Sequence, residues 1–394
     1  MKAHAGTWSN PWADAMPPLP EAPLERAACL VLLAFAATLQ VSIAAADILL
    51  TIAALLWVAV VVRNHERVTV PQMFWPLAVY GAATLVASVF SVDPRVSLVD
   101  CKQLVLLLIV PLTYRLFRGR RALLATDVII TVGALSAAFG IIQYLILNYD
   151  NLGQRPQGTL GLYMTYSGLL MLVACAAVAR VMFARHHRAW AALVLPALLL
   201  ALAFTFTRSA WVGACVGLGL LFLLRDFRLL GLLPIVFAAF IFTAPANLSA
   251  RLYSTINVKD PSNADRLAMI QSGWHIIKAH PLTGVGPDMI KEVYPAFRVP
   301  GAVNQRNPHL HNVPLQIAAE RGLPALAIWC WFIATLIRDF WRRRHGDQPS
   351  LSNAALAVVA AMLTAGLFEY NFGDSEFLML FLVLVTLPYA YRPD

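Results

Sequence analysis

Apolar stretches, most of them close to the ~20 residues that a membrane-spanning helix needs, alternate with short polar connections along most of this chain. Such a run predicts a helix that crosses a bilayer, because a helix satisfies its own backbone hydrogen bonds there. The pattern predicts about twelve such helices, near residues 27–46, 48–62, 73–90, 97–114, 123–147, 160–183, 189–206, 209–224, 229–245, 313–337, 351–368 and 377–391. We therefore expect an all-α, polytopic integral membrane protein.

The positions of the cationic side chains predict which helix ends face the cytoplasm. About half of the 30 Lys and Arg residues lie in five short clusters, and short cationic loops stay on the cytoplasmic side. The clusters are Arg63 with Arg67, Arg115 to Arg121, Arg180 to Arg188, Arg225 with Arg228, and Arg338 to Arg344. Both termini then lie in the cytoplasm. Because these loops account for much of the net charge of +9, that charge does not indicate nucleic-acid binding.

One polar stretch, residues 246–312, is far longer than the other connections. Long loops are translocated largely regardless of their charge, so we place it on the outer side. The N-terminal segment is too polar for a signal peptide and is expected to be a cytoplasmic tail. The chain then divides into that tail at 1–26, the earlier membrane helices at 27–245, the long outer loop with helical segments at 246–312, and the last membrane helices with a short cytoplasmic C-terminus at 313–394.

The cysteines do not indicate a metal site. They lie within apolar stretches at no metal-like spacing, so we expect small core residues at Cys29, Cys101, Cys175, Cys215 and Cys330.

Arginines on the predicted outer side oppose the charge rule that orients the chain. Arg208 lies between two apolar stretches, where a charge is costly enough to suggest a functional site. The alternative is an arginine that reaches lipid headgroups, with Trp211 as an interfacial anchor.

Arg266 precedes an amphipathic helix that we predict from Leu267 to Ala279, with Asn263 or Asp265 as its cap. Its alternative role is a surface salt bridge with Asp265 or a charge at the helix end. Planar guanidinium groups match phosphate oxygens with paired hydrogen bonds. Arg208 and Arg266 facing one cavity would therefore suit an anionic, lipid-borne diphosphate.

The segment from Asn307 to Gln316 places two histidines at the outer end of a predicted membrane helix. A histidine titrates near neutrality and can transfer a proton. His309 and His311 are two positions apart, so on an extended segment they share a side, which also permits metal ligation. The alternative for each is a solvated or interfacial side chain.

The pair His311 and Asn312, followed by nine residues and then Gly322, resembles the motif of bacterial O-antigen ligases, which are related to O-antigen polymerases and protein O-oligosaccharyltransferases. In the ligase motif a Gly, Thr or Tyr stands three positions after that glycine, where this chain has Ala325. Further segments agree in order and spacing: Arg208 to Trp211, Asp265 to Leu267, His280 to Gly286 and Phe368 to Asp374. The segment Gly158 to Gly168 resembles the ligase branch. The resemblance covers residues 140–390.

The resemblance implies a fold similar to GT-C type membrane glycosyltransferases. It also implies transfer of O-antigen polysaccharide from undecaprenyl diphosphate to lipid A-core, among the lipids of the bacterial inner membrane and on its periplasmic face. The family's essential residues match Arg208 and Arg266, which would bind the diphosphate, and His311, which would act as general base on the acceptor hydroxyl. Further substrate contacts are expected from Arg155, Tyr166, His309, Asn312, Glu369 and Asn371. Glu369, Asn371 and Asp374 could instead orient His311.

Two features of the sequence bear on the mechanism that the resemblance implies. No carboxylate stands next to His311 as an obvious nucleophile, which favours one displacement with inversion at the anomeric carbon. Many glycosyltransferases hold Mg²⁺ or Mn²⁺ with closely spaced carboxylates, and no outer connection carries an Asp-x-Asp pair. We therefore expect a reaction without a metal or other cofactor.

Two alternatives stay open. An O-antigen polymerase or a protein O-oligosaccharyltransferase of the same superfamily would differ only in the acceptor, and the segment Gly158 to Gly168 favours the ligase. A transporter of polyprenyl lipids or polysaccharide would also need many helices and buried cations. Transporters often show two similar halves, a repeat that this sequence does not show.

Overall fold

The computed structural model describes residues 19–184, 188–231, 234, 245–254, 257 and 260–392. These residues form helices joined by turns, with no strand among them. The α-helices are α1 (Pro23–Thr38), α2 (Ile43–Arg63), α3 (Phe74–Val89), α4 (Pro94–Asp100), α5 (Ile109–Leu116), α6 (Arg121–Leu145), α7 (Tyr163–Phe183), α8 (Arg188–Phe204), α9 (Arg208–Arg225), α10 (Ala246–Tyr253), α11 (Pro261–Ala279), α12 (Ile290–Phe297), α13 (Val313–Arg343), α14 (Pro349–Ala365) and α15 (Ser375–Ala390). Short 3-10 helices cover Cys101–Leu108, Phe227–Gly231 and Asn371–Gly373.

Six described segments are long and apolar enough to cross a membrane: Ile43–Arg63, Pro94–Leu116, Arg121–Leu145, Tyr163–Phe183, Arg208–Arg225 and Val313–Arg343. Four further apolar helices are shorter, with 16 residues in α3 and α15 and 17 in α8 and α14. The described chain is thus all-helical, as predicted, with several helices of membrane-crossing length. The count of about twelve stays a prediction. Most of the predicted helix at 229–245, and residues 1–18 of the predicted tail, lie outside the described residues.

The boundary between the first two helices differs from the prediction. Helix α1 ends at Thr38 and α2 begins at Ile43, whereas the hydropathy pattern placed the break at Asp47. Ser42 caps α2 by accepting a hydrogen bond from the N–H of Ala45. Asp47 lies near the N-terminus of α2, where the helix dipole tolerates an acidic side chain.

Helices α7, α14 and α15 form the centre of the bundle. Every described residue of α15 from Phe377 to Ala390 is buried, as is every residue of α7 from Thr165 to Arg180. Helix α9 approaches α14 closely at Gly213, where an added Cβ would lie 2.8 Å from the carbonyl oxygen of Ala361. Small residues permit such close helix packing in membrane proteins.

The cysteines are less uniformly buried than predicted. Cys29 and Cys175 are buried and Cys101 is half-buried, but Cys215 and Cys330 are exposed. A membrane helix is apolar on its outward face as well as its inward face, so apolar neighbours in sequence do not identify a core position.

Helix α13 is broken at Gly322, which has φ 81° and ψ 168°. The break leaves helix carbonyls without their usual partners, and a segment of the long loop supplies them. The N–H groups of Val285 and Gly286 donate to the carbonyls of Ala319 and Glu320, each at 2.9 Å. The loop is therefore bonded to the helix through its backbone.

The same loop segment is also fixed to the turn between α3 and α4. The carbonyl of Val285 accepts the N–H of Val92 at 3.0 Å and the hydroxyl of Ser91 at 3.2 Å. The hydroxyl of Ser97 donates to the carbonyl of Pro287 at 2.7 Å. These bonds hold the loop between two parts of the helix bundle.

Replacing Gly322 with alanine is expected to destabilise the protein. A Cβ there would lie 2.0 Å from the carbonyl oxygen of Leu282, and the backbone lies in a region that costs a side chain about 1–3 kcal/mol. We expect a clear fall in the apparent melting temperature of the detergent-purified Gly322→Ala variant. Gly231→Ala is the matched control, because a Cβ there meets nothing within 4 Å. Equal melting temperatures for the two variants would contradict this account.

Candidate active site

Several helix ends meet residues of the long loop at one end of the bundle, which we call the loop face. The first turns of α7, α9 and α15 and the last residue of α14 line a cavity of about 240 Å³, together with His309 from the loop. The predicted site residues lie between positions 155 and 371 of the chain, and several of them lie in or near this loop-face cavity.

His309, His311 and Glu369 form a compact group, which we call the His–Glu cluster. Nδ1 of His311 lies 2.7 Å from Oε1 of Glu369, and Nε2 of His309 lies 3.4 Å from the same oxygen. The centroids of the two imidazole rings are 4.2 Å apart. Both histidines therefore face one carboxylate, which belongs to the turn between α14 and α15.

The backbone at His311 is fixed by both of its neighbours. His311 has a φ of 48°, a left-handed conformation that costs most side chains about 1 kcal/mol or more. The N–H of the buried Leu310 donates to the side-chain oxygen of Gln316 at 2.7 Å. Asn312 caps α13 by accepting the N–H of Leu315 at 2.9 Å. The first turn of α13 thus holds the histidine in place.

Glu369 is held in its ionised form. Burial raises the pKa of its carboxyl, but hydrogen bonds from His309 and His311 lower that pKa by more, to well below its usual range. The N–H of Tyr370 also donates to Oε1, at 3.2 Å. No carboxylate is adjacent to His311 in the sequence, but the fold brings the carboxylate of Glu369 into contact with it. The prediction that no carboxylate lies beside His311 is therefore wrong. Glu369 is placed to orient the imidazole of His311, in the manner of the carboxylate in a catalytic triad.

A buried ion pair on α13 supports the turn that carries Glu369. Nη1 of Arg321 lies 2.7 Å from Oε2 of Glu320 and 3.4 Å from the hydroxyl oxygen of Tyr370. Oε1 of Glu320 accepts the N–H of Asp288 at 3.0 Å. Sequence alone assigned these two residues no role, although an ion pair within an apolar stretch is the kind of signal that marks a structured site.

Arg208 is the first residue of α9 and is only 5% exposed. Its Nη1 donates to the carbonyl of Ser254 at 2.9 Å and to the hydroxyl of the same residue at 3.2 Å, and Nη2 lies 3.4 Å from Oδ1 of Asp260. Trp211 donates its ring N–H to the carbonyl of Leu202 at 3.0 Å. These partners lie within the protein, which disfavours the alternative of an arginine that reaches lipid headgroups.

Three more arginines lie within electrostatic range of Arg208, and the four form what we call the arginine cluster: Arg155, Arg208, Arg251 and Arg266. Burial, followed by repulsion from Arg208 and Arg155, lowers the pKa of Arg251 to about 10. Burial also lowers the pKa of Arg155 and of Arg266, and the charge of Arg208 lowers each further. Positive charges held close together repel one another, and a bound anion would relieve this repulsion. The cluster therefore favours an anionic ligand.

Sequence reasoning identified Arg155 and Arg266 as binding residues but gave Arg251 no role. Arg155 is positioned by Tyr163, whose ring centroid lies 4.2 Å from the guanidinium carbon. Arg251 lies on the short helix α10, and its Nε donates to the carbonyl of Phe206, two residues before Arg208, at 3.4 Å. No local motif marks it, because only the tertiary structure brings α10 to the start of α9.

Helix α11 begins at Pro261 rather than at the predicted Leu267. Its cap is Asp260, whose carboxylate accepts the N–H of Ser262 at 3.1 Å, so both predicted capping residues lie inside the helix. Proline is favourable in the first turn because its missing N–H has no partner there. The same Asp260 carboxylate also faces Arg208, which ties the helix start to the arginine cluster.

The alternative of a salt bridge between Asp265 and Arg266 does not match the hydrogen bonds of Asp265. Its carboxylate accepts the backbone N–H and the side-chain amide of Asn304, at 3.1 and 2.6 Å. Burial lowers the pKa of Arg266 overall, and the charges that partly offset this lowering are those of Glu369, Asp260 and Tyr163, with Glu369 the largest. The arginine cluster and the His–Glu cluster therefore lie within electrostatic range of each other.

The loop-face cavity contacts the His–Glu cluster directly and lies next to the start of α9, although none of the four clustered arginines is among its lining residues. Thr207 and Ser209, the neighbours of Arg208 in the chain, line it together with His309 and Glu369. Its volume of about 240 Å³ is below the ~300–1,000 Å³ of pockets that bury a drug-sized ligand. The cavity can therefore take the reacting end of a large substrate but not the whole of it.

The remaining predicted residues divide between the cavity and the framework. Asn371 lines the cavity and donates to the carbonyl of Met362 at 3.3 Å. Asn312 serves as the cap of α13. Tyr166 is only 1% exposed and donates its hydroxyl to the carbonyl of Ser136 at 2.8 Å, so the structure places it in the helix packing and not among the residues that line the cavity.

Comparison with known proteins agrees with this geometry. Residues 191–330 match the model of a protein family described as O-antigen ligase. No curated protein matches the chain. The matched stretch contains Arg208, Arg251, Arg266, His311 and the helix break at Gly322, and members of the family are glycosyltransferase-like enzymes. Residues 191–330 of the chain are therefore similar to the O-antigen ligase family.

Proposed function

We propose that the protein is an O-antigen ligase, which transfers O-antigen polysaccharide from undecaprenyl diphosphate to lipid A-core at the periplasmic face of the bacterial inner membrane. The observation that carries the proposal is an arginine cluster within electrostatic range of a histidine held by a carboxylate, next to a cavity lined by His309, Glu369 and both chain neighbours of Arg208. The reaction needs both, because a diphosphate leaves and a hydroxyl attacks. With the loop face toward the periplasm, both termini lie in the cytoplasm.

The arginine cluster suits the donor. Cleavage of the bond between the sugar and the diphosphate increases the negative charge on the leaving phosphate. Arg208 and Arg266 would bind its oxygens through paired hydrogen bonds, and the nearby Arg155 and Arg251 would add to the positive field. Arginine keeps its proton under these conditions, so the cluster stabilises charge and does not act as an acid.

The His–Glu cluster suits the acceptor. A sugar hydroxyl is a weak nucleophile, and a base that takes its proton during attack accelerates the reaction by about 10²–10⁴-fold. The hydrogen bond between Nδ1 of His311 and Glu369 fixes the tautomer in which Nε2 can accept that proton. Glu369 then stabilises the imidazolium that forms.

A single displacement with inversion at the anomeric carbon follows from the environment of Glu369. Its Oε1 accepts from His309, His311 and the N–H of Tyr370, so this oxygen is a poor nucleophile. We expect the glycosidic bond formed to have the opposite anomeric configuration to that in the donor. NMR of the purified product, compared with the lipid-linked donor, measures this. Retained configuration would contradict a single displacement.

Loss of the base or of a cationic side chain should reduce ligation strongly. We expect about 10²–10⁴-fold less activity for His311→Ala and about 10²–10³-fold less for Arg266→Ala. The assay reconstitutes the purified protein with undecaprenyl-diphosphate-linked polysaccharide and lipid A-core and follows the lipopolysaccharide shift on a gel. Arg298→Ala is the matched control, since Arg298 is an exposed arginine of the same loop.

The same assay separates the related enzymes by their acceptor. An active wild type that lengthens the lipid-linked chain or labels a protein, and leaves lipid A-core unmodified, would contradict the ligase and indicate a polymerase or a protein O-oligosaccharyltransferase. Full activity of His311→Ala would contradict the role of the base. A protein that moves the lipid-linked donor across vesicles without any transfer would indicate a transporter.

The ionised Glu369 should also stabilise the fold in a pH-dependent way. Its folded pKa is lower than the ~4.3 of an unfolded glutamate, so its contribution is present above that pH and is lost as the pH falls below it. Glu369→Gln should therefore melt at a lower temperature than wild type at pH 7, with the difference shrinking below pH ~4. Glu292→Gln, at an exposed carboxylate on α12, is the control. A difference that stays constant between these pH values would refute the linkage.

A further inference from the structure

We propose that the His–Glu cluster is also a binding site for a divalent metal ion of the zinc class, and that an ion bound there inhibits transfer. The inhibition rests on the proposed function, because it requires His311 to act as a base. The binding itself rests only on the geometry of His309, His311 and Glu369.

The distances from Glu369 to the two histidines are close to those between neighbouring ligands of a zinc ion. The three ligand atoms all lie within 4.8 Å of one another. In a tetrahedral zinc site with bonds of ~2.0–2.1 Å, neighbouring ligand atoms are about 3.3 Å apart. Nε2 of His309 and Oε1 of Glu369 are already 3.4 Å apart. The separation of 2.7 Å between Nδ1 of His311 and the same oxygen has to widen by about half an ångström.

The donor set is that of a zinc site with an open position. Two imidazoles and one carboxylate are the ligands of several catalytic zinc sites, in which the fourth position holds water or substrate. His309 and Glu369 line the loop-face cavity, so an ion can enter from there and keep its fourth position toward the cavity. Among the described residues, no other group of three such side chains meets the same distance condition.

Metal binding and base catalysis exclude each other at His311. The lone pair of Nδ1 would bind the metal, and a neutral imidazole ligand then carries its proton on Nε2. Nε2 can no longer accept the proton of the acceptor hydroxyl. We therefore expect full transfer activity in the metal-free protein and inhibition when zinc is bound, which is the opposite of a glycosyltransferase that needs a metal ion.

The binding test uses the full-length protein, purified in detergent through a tag without histidines and treated with EDTA. Co²⁺ alone is titrated, because its visible absorption reports coordination by nitrogen and oxygen, and Zn²⁺ is then used to displace it. We expect one ion per chain. His309→Asn and Glu369→Gln should each weaken binding by at least ~10-fold. His275→Asn, which changes an exposed histidine on α11, should bind like wild type.

Absence of Co²⁺ absorption in wild type, or equal binding by wild type and His309→Asn, would overturn the site. The inhibition is then measured with wild type in the reconstituted assay. Zn²⁺ should abolish transfer and EDTA should restore it, and His309→Asn should need at least ~10-fold more Zn²⁺ to lose its own activity. Undiminished wild-type transfer at saturating Zn²⁺ would overturn the inhibition.

The two experiments separate the metal site from the proposed function. A protein that shows no transfer to any acceptor but binds Co²⁺ through His309 and Glu369 contradicts the ligase and supports the site. Transfer by wild type without any Co²⁺ binding supports the ligase and removes the site. Transfer that EDTA abolishes and Zn²⁺ restores would overturn the proposed inhibition, because the ion would then assist the reaction.

Discussion

The break in α13 at Gly322 is the constraint on which the loop face depends. Just before it, the carbonyls of Ala319 and Glu320 accept the backbone N–H groups of Val285 and Gly286 in the loop. Before it, the short helical section from Val313 to Arg321 leads back to Asn312, the cap that directly follows His311. That section is therefore a rigid spacer of fixed length between the loop attachment and the histidine. A rigid support of this kind is what accurate placement of a base requires.

The two clusters differ in how their charge is balanced. In the His–Glu cluster the carboxylate is opposed by both imidazoles, so its charge is satisfied within the protein. In the arginine cluster burial and the charge of Arg208 lower the pKa of Arg155, Arg251 and Arg266, and Asp260 is the nearby anion common to Arg251 and Arg266. The stored repulsion is relieved when an anion binds, whereas the histidine site is already organised before any substrate arrives.

Sequence predicted an all-helical chain with several helices of membrane-crossing length, because hydropathy depends on composition within each segment. It indicated Arg208 because a charge is costly between apolar stretches, and Arg266 and His311 mainly through the family resemblance, and their roles stay predictions. It placed Tyr166 among the substrate contacts, whereas its ring lies in the helix packing. Sequence offered Glu369 as a residue that could orient His311, but the pairing of Glu369 with both histidines and the place of Arg251 beside Arg208 could not be predicted. Both depend on which distant segments pack together, and no local pattern encodes that.

The short helix α8 has a consequence for the surrounding lipid. At 1.5 Å per residue its 17 residues measure about 26 Å, a few ångströms less than the ~30 Å hydrocarbon core of a typical bilayer. Leu193, Leu199 and Leu200 on this helix are exposed, and its C-terminal end leads directly to Arg208. A bilayer thins next to a helix that is too short for it. If α8 crosses the bilayer and the proposed function holds, phosphate groups of the adjacent leaflet would lie closer to the level of the arginines, which would shorten the distance that a membrane-anchored diphosphate has to rise from its own lipid layer.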